Sequence, residues 1–175
     1  MYHPREDSYL LSFVLTKYLK NKVKNIKILD IGSGSGIQAE TCRKLGFKNI
    51  NVSDTDPQSI SFLKKKKFKA IKSNLFSNIK EKFDLVIFNP PYLPEDKYDK
   101  EKDTTGGKKG YETILRFLKQ AKEHLRENGA ILLLYSSFSK PRVIKREAKK
   151  LKYEIKLLAQ KRIFFEELYV IELKY

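Results

Sequence analysis

Among 175 residues the sequence holds a single cysteine, Cys42. No disulfide can close within the chain, and no Cys/His cluster exists to hold zinc, so no metal site is expected. Cys42 falls in a segment of helical pattern, where a thiol serves as a small core residue rather than as a nucleophile. Long apolar runs are missing too. The longest, Ala130 to Tyr135, is far too short to cross a bilayer. The opening "YHPREDSYLL" has charges where a secretory signal needs its apolar centre, so a cytoplasmic protein with no membrane partner is expected. No Gly/Ser linker, repeat or low-complexity tract divides residues 1–175, which are expected to form one domain. Acidic residues are outnumbered: 21 Asp plus Glu face 37 Lys plus Arg, a net charge of +16. That balance suits a polyanionic partner such as RNA or a ribosome. Lysines spread through every segment also accompany thermophily or genome bias, so both readings stand. With 41% hydrophobic and 12% aromatic residues the chain is not disordered, and it is long enough for a real core.

Strand and helix patterns alternate along the chain. In "EDSYLLSFVLTKYLKN" apolar residues recur at Leu10, Leu11, Val14, Leu15, Tyr18 and Leu19, a helical spacing with Asp7 or Ser8 near its start. "IKILDI" (26–31) reads as a strand and "GIQAETCRKL" (36–45) as a helix closed by Gly46. "NINVSD" (49–54) is a strand, and Pro57 opens the next helix at its first turn. "FKAIKSN" (68–74) and "FDLVIF" (83–88) are strands, followed by a polar stretch, 95–110, with Gly106, Gly107 and Gly110. The pattern then predicts a helix over 111–128 with Gly129 as its stop, a strand "AILLLYSS", a helix "KPRVIKREAKKL", and strands "YEIKLLAQ" and "RIFFEELYVIELKY". Parallel crossovers need a helix, whereas two strands in direct succession return antiparallel. The expected fold is therefore a Rossmann-like, doubly wound α/β sheet of seven strands. It is mainly parallel, with one antiparallel strand near the C-terminal edge.

In such sheets ligands bind beyond the carboxyl ends of the strands, where the winding reverses. Two unusual segments fall at strand ends. "LDIGSGSGIQA" (29–39) places Gly32, Gly34 and Gly36 between a strand and a helix, where glycine lets the backbone turn tightly and approach a ligand. The spacing is G-x-G-x-G, not the G-x-G-x-x-G of dinucleotide sites. Asp30, at the end of the first strand, would repel a pyrophosphate and attract an ammonium group. Asp54, ending the second, can accept hydrogen bonds from ribose hydroxyls. A cofactor with a ribose and a positive charge, S-adenosylmethionine rather than NAD, suits this set. The second segment is "FDLVIFNPPYLPED" (83–96), an apolar strand that stops against Asn89, Pro90, Pro91 and Tyr92. Proline cannot donate to a sheet ladder and restricts the residue before it, so a stiff turn leaves one amide and one aromatic ring at the strand tip.

"LDIGSGSG", "SDTDP", "SNLF" and "NPPY", in this order, resemble the class I S-adenosylmethionine-dependent methyltransferases. The tetrapeptide resembles that of the branch that methylates amide or exocyclic nitrogens. "YHPREDSYLL" and "GGKKG" resemble archaeal and eukaryotic release-factor glutamine methyltransferases of the HemK/PrmC type. The resemblance implies Ser8, Asp30, Gly32, Gly34, Asp54, Asn74, Leu75 and Asn89 around the cofactor. Asp30 and Gly32 would hold its amino-acid end, Asp54 its ribose, and Asn74 with Leu75 its adenine, although the family usually has Asp where this chain has Asn74. It further implies a small zinc-binding activator protein as a heterodimeric partner, for which the strand at 68–74, an expected sheet edge, offers a place.

Nitrogens of this kind are poor nucleophiles because their lone pair is delocalised. A site needs acceptors that hold the N–H bonds and turn the lone pair toward the methyl group. The Asn89 side-chain oxygen and the Pro90 carbonyl are two such acceptors on a stiff turn, with Pro91 beside them and Tyr92 to pack on a planar target. Catalysis is then mainly orientation and electrostatics. The reaction that the resemblance implies is N5-methylation of a glutamine in a translation release factor. The alternatives are an exocyclic amino group of RNA or of DNA adenine, and a protein lysine.

Overall fold

The computed structural model describes residues 3–93 and 107–175; most of the polar stretch at 95–110, including Gly106, lies outside them. The elements run α1 (Glu6–Leu19), β1 (Ile28–Ile31), α2 (Ile37–Lys44), β2 (Ile50–Asp54), α3 (Pro57–Lys65), β3 (Lys69–Lys72) and β4 (Phe83–Phe88). They continue with α4 (Glu112–Ala121), β5 (Leu125–Ser136), α5 (Pro141–Lys150), β6 (Glu154–Ile163) and β7 (Glu166–Lys174). The seven strands form one sheet in the order β3-β2-β1-β4-β5-β7-β6. β7 runs antiparallel to both β5 and β6, and the other pairs are parallel, as the strand succession requires.

The continuous apolar runs of β1, β4 and β5 follow from burial on both faces. Their pleat sends Leu29, Ile31, Val86, Phe88, Ile131 and Leu133 to a core under α4 and α5. Ile28, Leu85, Ile87, Leu132 and Leu134 go to a second core under α1, α2 and α3, which also holds Cys42. Each such side chain contributes about 1.5–3 kcal/mol on burial. The winding reverses at β1, which pairs with β2 on one side and β4 on the other, so the switch point lies where the glycine loop and the Asn-Pro-Pro-Tyr turn leave the sheet.

Two boundaries differ from the sequence pattern. The helix expected to reach Asn128 ends at Ala121, a single 3-10 turn follows at Lys122–His124, and β5 begins at Leu125. The ring of His124 stacks on Phe76 at 4.4 Å and its Nδ1 lies 3.2 Å from the Glu81 carbonyl, which draws the chain out of the helix. Leu125 then pairs with Phe83, and the next pair is Ala130 with Leu85, so β5 bulges there, with residues 126–129 opposite Asp84 alone. Gly129 is not a helix stop: a Cβ there would meet the Arg126 and Phe83 carbonyl oxygens at 2.9 and 3.0 Å. At the other edge β6 continues to Ile163 and turns at Phe164–Phe165, three residues later than the pattern placed the break.

Candidate active site

A cleft of about 380 Å3 opens at the carboxyl ends of β1, β2 and β4. Ser8, Asp30, Gly32, Gly34, Asp54, Asn89, Pro90, Pro91 and Tyr92 all line it. Asn74 and Leu75 do not: with Phe76, Arg116 and His124 they line a separate depression of about 350 Å3. The turn that carries them is nevertheless built with strain. Leu75 sits at φ 51, a left-handed conformation worth about 1–3 kcal/mol of strain in a residue with a Cβ. Ser73 Oγ holds it by donating to the Leu75 carbonyl at 2.8 Å.

The glycine loop is fixed by its neighbours. Ser33 donates through its side chain to the Asp30 carbonyl at 2.7 Å and through its N–H to the Ser53 carbonyl at 3.0 Å. Gly34, at φ 51, donates its N–H to Asp54 Oδ2 at 2.8 Å, and Asp56 N–H reaches Asp54 Oδ1 at 2.9 Å. Asp54 therefore closes the loop against β2, and each carboxylate oxygen keeps acceptor capacity toward the cleft. Gly36, at φ 78, begins α2 so close to α3 that a Cβ would lie 2.6 Å from Leu63 Cδ2. Behind the loop Asp30 is buried and accepts from Ala39 N–H at 3.3 Å. Burial pushes its carboxyl up to about 7, the Ala39 N–H opposes this, and the Asp54 charge adds to it. A cationic ligand group is what such a carboxyl lacks.

The turn after β4 is held at both ends. Ser139 Oγ donates to the Tyr92 carbonyl at 3.1 Å, and Tyr92 packs against the core under α1. At the other end Asn89 Nδ2 donates to Asp7 Oδ2 at 2.9 Å. A carboxylate only accepts, so this bond fixes which way the amide faces. Asn89 Oδ1 is left buried with no hydrogen-bond partner among the described residues.

Asp7, which sequence reasoning took only for a helix start, lines the cleft and holds the Asn89 amide. It is 3% exposed, and its Oδ1 accepts the Ser8 N–H at 2.7 Å. Gln38 was missed as well. Its Nε2 donates to the Ser8 carbonyl at 2.9 Å while its Oε1 accepts from Ser12 Oγ at 3.0 Å, tying the start of α1 to the helix after the glycine loop. The far wall was also unforeseen, for Ile163, Glu166 and Leu168 reach the cleft from the β6–β7 hairpin.

A pyrophosphate finds no welcome between Asp30 and Asp54, whereas a cationic nucleoside with a methyl group to give is served by the loop and the turn alike. Those demands define a methyltransferase on this fold. The chain belongs to the methyltransferase small domain family, whose profile matches residues 10–159. A Methanocaldococcus jannaschii protein provisionally named protein N5-glutamine methyltransferase is 34% identical over 98% of this chain and 90% of its own length. The ribosomal RNA small subunit methyltransferase C of Haemophilus influenzae is 29% identical over 71% of this chain. The release factor glutamine methyltransferase of Borreliella burgdorferi is 34% identical over 61% of it. This chain spans 36% and 43% of those two proteins' lengths. Among solved structures, Mtq2 in the E. cuniculi Mtq2-Trm112 complex superposes with a TM-score of 0.82 at 24% identity, covering 99% of this chain and 97% of that one, a likeness of fold. No helix among the described residues is long and apolar enough to cross a membrane.

Proposed function

We propose that this methyltransferase transfers a methyl group from S-adenosylmethionine to the side-chain nitrogen of a glutamine in a translation release factor, in the cytoplasm. The observation that carries the reading is Asn89 Oδ1: an amide oxygen, buried, aimed by Asp7 and without a partner among the described residues. A buried acceptor left unpaired costs about 1–3 kcal/mol, a cost that an N–H of the substrate removes.

The residues of the cleft fit the cofactor. The raised carboxyl of Asp30 and the left-handed backbone at Gly32, φ 61, which only glycine adopts freely, suit its ammonium and carboxylate end, with Ser8 in the same cleft. Asp54 has lone pairs for ribose hydroxyls; Asn74 and Leu75, which line the separate depression, keep an adenine role only as the family resemblance implies it. When bound, S-adenosylmethionine supplies an electrophilic methyl group and a neutral thioether as leaving group. Asn89 Oδ1 would take one N–H of the target amide and the Pro90 carbonyl the other, which orients the nitrogen lone pair for methylation; the methylated nitrogen is acidic and would release one of these protons to solvent. Pro91 and Tyr92 wall the planar target and exclude water.

A protein substrate is supported by the names of the relatives above and by charge. Among the described residues the cleft is lined by Glu6, Asp7, Asp30, Asp54, Asp56 and Glu166 against one base, Arg5, inside a chain of net charge +16. Such a lining repels a phosphate backbone. The ribosomal RNA relative favours a second reading, an exocyclic amine of RNA, with the basic outer surface as its contact. Incubation with radiolabelled cofactor and host extract, followed by nuclease or protease, separates the two. Label on a release factor glutamine that survives nuclease is expected; label lost to nuclease refutes the reading.

The Mtq2-Trm112 complex and the edge position of β3 support a small zinc-binding activator that adds a strand beside Lys69–Lys72. Co-expression with such a protein is expected to yield a stable heterodimer of higher activity. Full activity of the isolated chain refutes the partner.

A further inference from the structure

The β6–β7 hairpin breaks the usual rules of a tight turn. Ile163 pairs with Glu166, which leaves a two-residue loop of Phe164 and Phe165. Phe164 stands at φ 45, where such hairpins place Gly or Asn, and Phe165 is not in the left-handed region. Both rings are in solvent, 88% and 97% exposed. Strain and bare aromatic surface in one loop oppose stability and solubility together, and such departures concentrate at functional positions.

The loop is not remote from the chemistry. Its flanking residues Ile163 and Glu166 line the same cleft as Asn89 and Tyr92. Lys161, on the same hairpin, pairs with Glu6 at the start of α1, the helix that carries Asp7. The hairpin is thus tethered to the element that aims the Asn89 amide. Glu166 Oε1 is buried with no hydrogen-bond partner among the described residues. Besides Asn89 Oδ1 it is the other unpaired, buried side-chain oxygen belonging to a residue that lines the cleft.

The geometry points to Phe164, Phe165 and Glu166 as the docking lip for the polypeptide segment that flanks the methylated residue. The two rings cover apolar side chains of that segment, and Glu166 Oε1 accepts one of its N–H groups. This rests on the protein-substrate reading above. A peptide suits the lip better than a nucleic acid, because the cleft that the lip borders is lined by Glu6 and Glu166, which repel phosphates. Aromatic anchors of this kind are the residues that dominate protein interfaces.

The test uses the full chain with the host release factor as substrate. Phe164→Ser/Phe165→Ser should raise KM for the release factor by about tenfold or more, in the range of a lost interface anchor. kcat at saturation and the affinity for S-adenosylhomocysteine should stay unchanged. Glu166→Ala should raise KM in the same way, and Glu166→Gln, which keeps an amide oxygen, should recover part of the loss. Unchanged KM in the double serine variant overturns the lip, as does a fall in S-adenosylhomocysteine affinity. If the wild-type chain methylates RNA and the serine variant loses that activity, the rings stack on bases and the peptide assignment is overturned. A wild-type chain that labels no protein refutes the proposed function itself, a result read before any variant is made.

Discussion

Replacing Asp7 by Asn changes one oxygen to an NH2 group, and the hydrogen bonds around it leave that group nowhere harmless to go. In the native chain Oδ1 takes the Ser8 N–H at 2.7 Å and Oδ2 takes Asn89 Nδ2 at 2.9 Å. If the new NH2 faces Ser8, two donors meet, and a backbone N–H cannot turn away. If it faces Asn89, the Asn89 amide rotates to offer its oxygen, and its own NH2 then points at the substrate nitrogen. The second arrangement keeps the bonds to Ser8 and Asn89 and removes the acceptor from the site. Asp7→Asn should therefore behave as Asn89→Ala does, lowering kcat by about 10²-fold, as for loss of one oriented polar group.

The assay is single-turnover methyl transfer for Asp7→Asn, Asn89→Ala and the double variant, with S-adenosylhomocysteine affinity and thermal melting as controls. Because both substitutions remove the same acceptor, the double variant should be no slower than Asn89→Ala alone, a coupling of about 2.7 kcal/mol for 10²-fold effects. Full activity in Asp7→Asn, or losses that multiply in the double variant, would show that Asp7 does not aim the amide.

The sequence carries the sheet plainly because its central strands β1, β4 and β5 are buried on both faces and its helices are punctuated by Gly46 and Pro57. It carries the glycine loop, Asp30, Asp54 and the turn at Asn89 because each sits within a residue or two of a strand end, where order along the chain and position in space coincide. Asp7 was not legible. It lies 82 positions from Asn89 in the chain, and an acid in the first turn of a helix has a sufficient local reason to be there. Gln38 hides among the polar residues of a short helix for the same cause. The end of α4 was misjudged because Lys122–Asn128 continues a helix-forming composition while Leu125 answers to a tertiary demand, its pairing with Phe83. The turn at Phe164–Phe165 contains no Gly, Pro, Asn or Asp, so pattern reading had nothing to stop on.

Asp54→Ala should weaken S-adenosylhomocysteine binding by about 1.5–3 kcal/mol, as for hydrogen bonds to a charged acceptor, and NAD should not compete; calorimetry reads both, and tight NAD binding would sink the methyl-donor assignment. Gly36→Ala should cost about 1–3 kcal/mol of stability, from a Cβ 2.6 Å from Leu63 Cδ2 and a left-handed φ of 78; an unchanged melting temperature would contradict the close packing of α2 on α3. Asp30 gives the chain a pH signature in two directions. With its carboxyl raised from 3.8 to about 7, the ligand-free fold holds a proton that the unfolded chain has lost. Stability from this group is full below about pH 4 and is lost as pH rises through about 7, by at most about 4 kcal/mol. Binding runs the other way. A cationic amino group favours the ionised carboxyl, so S-adenosylhomocysteine binding should expel a proton below pH 7, and its Kd should weaken about tenfold per unit on the acid side. Calorimetry at about pH 6 in two buffers of different ionisation enthalpy counts that proton, and Asp30→Asn should abolish it. Proton-neutral binding by the wild-type chain would mean that the ammonium group lies elsewhere, and that the buried carboxyl serves only to hold the glycine loop against α2.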